Sequence, residues 1–157
     1  MNLKSYIFLL FFSINTAIAF AQLNANIIGN ASIQGNNCFV ITPDALFQIG
    51  GVYYNNPIDF SEDFTIYYQS NFGSKDFIGA DGMAIVFKRD FEPELGATGG
   101  GLSYAGIANS LIVEFDTWQN LDNSDPSFDH ISIMKNGNPN HANPVNNLAG
   151  PVQASST

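Results

Sequence analysis

The sequence has a single cysteine, Cys38, among its 157 residues. One thiol cannot form an internal disulfide bond, so the chain is not one of the small secreted domains that a disulfide framework holds together. We expect Cys38 to be either a buried free thiol or half of a bridge to a residue outside this sequence.

Basic residues are also scarce. The chain has 5 lysines and arginines against 14 aspartates and glutamates, a formal net charge of −9. Proteins that bind nucleic acids or anionic membranes need clusters of Lys and Arg to neutralise phosphates. The composition therefore predicts no nucleic-acid partner and favours cations or neutral molecules as ligands.

Long apolar runs are absent outside the amino terminus. The first residues combine one cation, Lys4, with an apolar run and the small-residue site Ala19-Phe20-Ala21, the layout of a secretory signal peptide. No other segment has the ~20 apolar residues that a membrane span needs. We expect cleavage after Ala21, a secreted or cell-surface protein and no membrane insertion. Cleavage removes Lys4 and leaves 4 cations against 14 acids, a net charge of −10.

The remainder reads as all-β, because short runs of Ile, Val, Phe and Tyr alternate with clusters of Asn, Gly, Pro and Asp. The predicted strands are residues 31–33, 38–42, 51–54, 64–69, 82–87, 110–116 and 130–134. Residues 22–135 are expected to form one domain. Residues 136–157, rich in Asn, Pro, Ala and Gly, are predicted to be a loop or linker that continues into strands missing from this sequence.

The stretch EFDTWQNLDNSDPSFDH, residues 114–130, holds five acids and no lysine or arginine. It is compatible with a solvated acidic loop, with a pair of catalytic carboxylates, or with a metal site. On a strand, Glu114 and Asp116 share a face because side chains alternate, and the opposite face, with Leu111, Val113 and Phe115, is expected to point to the core.

Metal binding would suit this stretch if the strands at 110–116 and 130–134 are neighbours. Glu114, Asp116, Asp125 and His130 would then converge. Carboxylate and amide oxygens suit Ca²⁺, whereas carboxylates combined with an imidazole suit a transition ion such as Mn²⁺ or Zn²⁺.

The order E-x-D-x-aromatic-x-N followed by D-P-S-aromatic-x-H-I resembles the metal loop of legume-type (L-type) lectins. The resemblance implies a concanavalin-like jelly-roll sandwich of antiparallel sheets, incomplete here at its C-terminus. It also implies Ca²⁺ and a transition ion, in this family Mn²⁺. The transition-metal ligands implied are Glu114, Asp116, Asp125 and His130. The calcium ligands implied are Asp116, the carbonyl of Trp118, Asn120 and Asp125.

Two further motifs resemble this family and imply sugar contacts. Gly79-Ala80-Asp81-Gly82 resembles a strand entry in which the aspartate follows a cis peptide and accepts hydrogen bonds from sugar hydroxyls. The glycines after Thr98 resemble a loop whose backbone N–H, of Gly100 or Gly101, donates to the sugar. Asn120 would donate as well, and Trp118 would stack on the sugar.

The resemblance therefore implies a metal-dependent carbohydrate-binding module without catalytic activity, whose partners are glycans or glycoconjugates. One alternative is a glycoside hydrolase on a similar jelly roll, but Trp118 and Gln119 stand where such an enzyme needs a second glutamate. Another is a structural or adhesive segment of a larger surface protein. His141 has no obvious partner in the Asn/Pro-rich tail, and we expect it to be exposed.

Overall fold

The computed structural model describes residues 23–75 and 78–154, so the predicted signal peptide lies outside the described residues. These ranges hold short strands, two 3₁₀ turns (Gly99–Gly101 and Leu121–Asn123) and no α-helix. The strands are β1 Ala25–Gly29, β2 Ser32–Gly35, β3 Cys38–Val40, β4 Gly50–Tyr54, β5 Gly82–Lys88, β6 Ser110–Asp116, β7 His130–Lys135 and β8 Asn147–Gln153. The prediction of an all-β fold is confirmed.

All strand pairs are antiparallel and form three sheets. β1 pairs with β4, β2 pairs with β3, and the order β5-β6-β7-β8 makes a four-stranded sheet. The strands predicted at 110–116 and 130–134 are neighbours, and Asp116 lies opposite His130. This register is what the prediction of a convergent acidic site required.

The buried core lies on one face of the four-stranded sheet. Ile112 of β6 and Met134 of β7 are opposite one another and fully buried. They form one cluster with Leu102, Tyr104 and Ile107, which belong to the segment that follows the glycine loop. The segment before β6 therefore covers this face.

The opposite face of the same sheet is only partly covered, which corrects the prediction that Leu111, Val113 and Phe115 face the core. These three residues are half-buried, whereas their neighbours in β6 are buried. Tyr68 and Phe72 lie against Phe115 with ring centroids 6.2 and 6.3 Å away. The main core forms on the other face because the loop before β6 packs there.

The strand predicted at residues 64–69 is absent. Phe64 and Tyr68 face Phe87 and Phe115 on the four-stranded sheet, while Tyr67 between them is 93 % exposed. The strand-like pattern of these residues therefore indicates which side chains pack against the sheet, although the segment itself is not a strand. Within the described ranges, no neighbouring strand forms a hydrogen-bonded ladder with this segment.

The prediction of a loop throughout 136–157 is wrong for residues 147–153. These residues form β8, which pairs with β7 at the edge of the four-stranded sheet. Pro151 lacks an N–H group, and an edge strand tolerates this because only one of its sides needs to pair. Register shifts interrupt the pairing, as expected for a strand with this composition.

Cys38 is exposed at the start of β3, so the expectation of a buried thiol is wrong. Its Sγ atom lies 3.9 Å from Oε1 of Gln34 across the β2–β3 hairpin. Within residues 23–75 and 78–154, no helix is long and apolar enough to cross a membrane.

Candidate functional site

The core face of the four-stranded sheet changes from apolar to charged along its strands. Beyond the Ile112–Met134 pair, Glu114 lies opposite Ser132, and Asp116 lies opposite His130. All four polar side chains are buried. Side chains alternate between the two faces of β6, so the face that buries Ile112 also buries Glu114 and Asp116.

The loop from β6 to β7 brings Asp125 to the same place. Asp125 Oδ2 accepts a hydrogen bond of 2.7 Å from the backbone N–H of Asn120, and Gln119 Nε2 donates to the Asp125 carbonyl at 3.2 Å. These bonds close the loop around the 3₁₀ turn. Carboxylate and imidazole atoms of Asp116, Asp125 and His130 then all lie within 4.8 Å of one another.

His141 joins this cluster, and the expectation that it is exposed is wrong. Its side chain is 4 % exposed, and its Nε2 atom lies 3.0 Å from Glu114 Oε1 and 3.5 Å from Asp125 Oδ1. The same atom lies 3.0 Å from Nε2 of His130. No spacing rule signals this residue, because the loop between β7 and β8 places it.

Tyr104 is a second residue that the sequence did not reveal. Its side chain is fully buried, and its hydroxyl donates a 2.5 Å hydrogen bond to Glu114 Oε2. Burial and the Glu114 carboxylate raise the pKa of Tyr104, so the phenol keeps the proton that it donates. Tyr104 thereby connects the segment after the glycine loop to the acidic cluster.

Burial dominates the electrostatics of the cluster. It raises the pKa of Asp116 to about 7, even though Asp116 accepts a hydrogen bond from the N–H of Trp118. Burial also raises the pKa of Asp125, and burial together with His141 lowers the pKa of His130. For His141, burial acts to lower the pKa, but the nearby carboxylates, Glu114 first, outweigh it and raise the pKa overall.

Unpartnered oxygen atoms show that the cluster suits cations. Within the part of the chain that the structure describes, Glu114 Oε1, Asp125 Oδ1 and Asn120 Oδ1 are buried and accept no well-aligned hydrogen bond. The ion-pair distances to His141 Nε2 are the nearest compensation that the two carboxylate oxygens have. Burying an ionised carboxylate without compensation is costly. The donor set fits two kinds of ion: oxygens of Asp116, Asn120 and Asp125 suit Ca²⁺, and the carboxylates with the imidazoles suit a transition ion.

The glycine loop lies directly against the loop that follows β6. A Cβ atom on Gly100 would lie 2.5 Å from Cγ and Oδ1 of Asn120, so a larger residue there would displace the Asn120 side chain. Asn123 Nδ2 donates a 2.8 Å hydrogen bond to the Gly100 carbonyl. The N–H of Gly101 donates a hydrogen bond to the backbone carbonyl of Thr98. The N–H of Gly100 makes no hydrogen bond within the described ranges.

Asp81 stands immediately before β5, and the Ala80–Asp81 peptide is cis, as the G-A-D-G motif implied. The Asp81 carbonyl accepts hydrogen bonds from the N–H and the hydroxyl of Thr117, at 2.9 and 3.1 Å. Burial raises the pKa of the Asp81 carboxyl. Asp81 is therefore tied to the loop that holds Trp118 and Asn120.

Comparison with known proteins identifies the family. Residues 15–156 match the sequence model of the legume lectin beta-barrel domain. The chain belongs to the L-type lectin family. Family membership and the antiparallel all-β sheets together confirm the concanavalin-like fold, and L-type lectins generally bind metal ions and are generally not enzymes.

A curated relative of this lectin domain is the pesticidal crystal protein Cry22Aa of Bacillus thuringiensis. The two are 33% identical over 118 residues, which cover 73% of this chain. The match covers 16% of Cry22Aa, so the lectin domain corresponds to a small part of that protein.

The surface of the lectin domain beside Asn120 is concave. A depression of about 450 Å³ is lined by Gly100, Gln119 and Asn120, together with the 3₁₀ turn Leu121–Asn123. Trp118 is 44 % exposed and is not a core residue. Of the residues predicted to contact sugar, Gly100 and Asn120 line the depression, whereas Gly101 is buried and Asp81 and Trp118 lie outside its lining.

Proposed function

We propose that this L-type lectin domain is a metal-dependent, non-catalytic carbohydrate-binding module of a secreted or cell-surface protein. The observation that supports it most is the buried cluster of Glu114, Asp116, Asp125 and His130, with unpartnered oxygens beside the Gly100–Asn120 contact. Bound Ca²⁺ and a transition ion would neutralise these carboxylates and stiffen the loop after β6.

In this proposal Asn120 links the ions to the ligand. Its Oδ1 atom is the buried, unpartnered acceptor that suits Ca²⁺, which leaves Nδ2 to donate to a sugar hydroxyl. Gly100 has an unused N–H beside the same side chain, and this favours Gly100 over Gly101 as the backbone donor. The Asp81 carboxylate would accept, and the exposed Trp118 ring would cover an apolar sugar face.

The buried position of Glu114 argues against the hydrolase alternative. Glu114 is 1 % exposed, and its Oε2 atom already accepts a hydrogen bond from Tyr104. A nucleophile must reach the substrate, with a second carboxyl group ~5–5.5 Å away in a retaining enzyme. The side chain of Gln119, near the position where the second acid would stand, donates to the Asp125 carbonyl.

The proposal is tested by measuring glycan binding together with metal content. Binding to a glycan array is expected to disappear in excess chelator and to return when Ca²⁺ is added. The Asp81→Asn variant should lose at least about tenfold in affinity, because a charge-assisted acceptor becomes a neutral amide. Its metal content and melting temperature should match those of the unaltered chain.

Asp129→Asn is the matched control, because Asp129 is an exposed acid in the loop between β6 and β7 and has no assigned ligand contact. Glycan binding that persists unchanged in chelator would contradict metal dependence. If no glycan binds while metal content is normal, the structural or adhesive alternative replaces the proposed function.

A further inference from the structure

His141 is held in the acidic cluster through both of its backbone polar groups. Its N–H donates a 2.8 Å hydrogen bond to the Asn123 carbonyl, and its own carbonyl accepts a 3.1 Å bond from Asn147 Nδ2. The first bond joins the loop before β8 to the 3₁₀ turn of the loop after β6. The imidazole is thereby directed inward, to an unpartnered oxygen of Glu114.

The tautomer of His130 can be assigned from its hydrogen bond. Its Nδ1 atom lies 3.3 Å from the Phe128 carbonyl, and a carbonyl can only accept. Nδ1 therefore holds the proton, and in the neutral ring Nε2 has a free lone pair. That lone pair points to Nε2 of His141, 3.0 Å away.

The distances among His141 Nε2, His130 Nε2 and Glu114 Oε1 are those expected between ligand atoms of a single metal ion. Two ligand atoms that are each about 2.1 Å from one ion lie at most about 4.2 Å apart, and about 3.0 Å apart when they are at right angles. His141 Nε2 is 3.0 Å from both His130 Nε2 and Glu114 Oε1, and His130 Nε2 is 3.8 Å from that oxygen. One ion can contact all three atoms.

We infer that His141 is an additional ligand of the transition-metal ion, and that two imidazoles make this site select Zn²⁺ over Mn²⁺ more strongly than one imidazole would. The inference rests on the proposed function only in requiring a metal at the cluster. Imidazole nitrogen suits Zn²⁺, whereas sites rich in carboxylate and water suit Mn²⁺. A second histidine in place of water therefore shifts the preference toward Zn²⁺.

The experiment measures metal selectivity, not sugar binding. The chain is stripped with chelator, saturated with Ca²⁺ and equilibrated with competing Zn²⁺ and Mn²⁺, and the bound metals are quantified by mass spectrometry. His141→Ala is expected to weaken Zn²⁺ binding at least about tenfold and Mn²⁺ binding less, so the Zn²⁺-to-Mn²⁺ ratio falls. Val145→Ala is the control, because Val145 lies in the same loop and is 65 % exposed.

X-ray absorption at the zinc edge gives a direct count of the imidazole ligands. Two are expected in the unaltered chain and one in His141→Ala, and added imidazole should restore zinc affinity in His141→Gly. Unchanged selectivity, or one imidazole in the unaltered chain, would overturn the inference and leave His141 as an ion-pair partner of Glu114. Retained Ca²⁺ binding shows that the variants fold, and a glycan array run in parallel tests the proposed function separately.

Discussion

At the scale of single residues, Glu114 is the side chain on which the cluster depends most. One carboxylate oxygen accepts from Tyr104, and the other has no hydrogen bond within the described residues and faces His141. Tyr104 thus fixes the rotation of the carboxylate and leaves Oε1 available to an ion. In the proposed metal site, Tyr104 is a positioning residue.

Tyr104→Phe removes that hydroxyl and keeps the ring. Because a buried charged acceptor loses its donor, the free energy of unfolding should fall by about 1–3 kcal/mol. Affinity for the transition ion should fall too, since Glu114 is less well oriented. Urea denaturation and metal titration measure the two effects.

Tyr67→Phe serves as the control for this change, because Tyr67 is 93 % exposed and should tolerate loss of its hydroxyl. If Tyr104→Phe and Tyr67→Phe left stability and metal affinity equally unchanged, the hydrogen bond to Glu114 would have no positioning role.

Residue spacing was sufficient to predict part of the cluster. Glu114 and Asp116 alternate on one strand, and His130 begins the next, so strand pairing brings them together. Tyr104 and His141 were not predictable in this way. Their contacts depend on the paths of two irregular loops, and no local period or propensity describes such a path.

At the scale of structural elements, the candidate ligand site is the contact between two loops. The glycine loop contributes Gly100, and the loop after β6 contributes Asn120, with the Asn123 side chain bonded to the Gly100 carbonyl. The absence of a Cβ on Gly100 allows this close approach. The depression beside Asn120 is lined by residues of both loops.

Gly100→Ala should disrupt the loop contact. The new Cβ would lie 2.5 Å from Cγ of Asn120, so the asparagine must move. Glycan binding is expected to fall at least about tenfold, since Asn120 would lose its position for both ion and ligand. Isothermal titration calorimetry with a glycan that the unaltered chain binds measures the loss of glycan affinity. Calcium titration measures the loss of calcium affinity.

Gly35→Ala is the control substitution, because a Cβ there meets nothing within 4 Å and Gly35 does not have a positive φ. Equal glycan affinity in Gly100→Ala and Gly35→Ala would show that the Gly100–Asn120 contact does not matter for binding.

The strand predictions were correct where a segment with a strand-like hydrophobic pattern also pairs with a neighbouring strand. β6 matches its predicted range, and β5 and β7 differ from theirs by one residue at the end. Residues 64–69 have a strand-like pattern but pack as an unpaired segment, whereas β8 pairs despite Gly150 and Pro151. Pairing of an edge strand depends on the neighbouring strand, which the local sequence does not encode.

At the scale of the whole molecule, the dominant property is excess negative charge. The formal net charge is −9, and the buried cluster concentrates three carboxylates beside two histidines. Without cations, burial raises the pKa of Asp116 and Asp125, and the neighbouring carboxylates add to this, so both groups tend to hold protons. In the proposed metal site, ions and protons would compete for the same atoms, so stability is expected to depend on both.

The metal-free domain is expected to lose stability as the pH rises from about 4 to about 7. Asp116 has a pKa of about 7 when folded, against 3.8 for an ordinary aspartate, so the folded state holds the proton more tightly. The corresponding stability is complete below the ordinary pKa and is lost as the pH rises through the folded pKa. The loss should reach a few kcal/mol. The raised pKa of Asp125 adds to it, the lowered pKa of His130 opposes it below about pH 6.5, and the raised pKa of His141 extends the decline above that pH.

Urea denaturation across this pH range, in chelator and with saturating Ca²⁺ and Zn²⁺, measures the effect. Metals should abolish the decline near pH 7, because they replace the proton as the partner of the carboxylates. Asp116→Asn should flatten the decline in chelator, since an amide has no proton to lose. A decline of the same size with and without metals would mean that ions do not bind at Asp116, and it would contradict the metal site on which the proposed function depends.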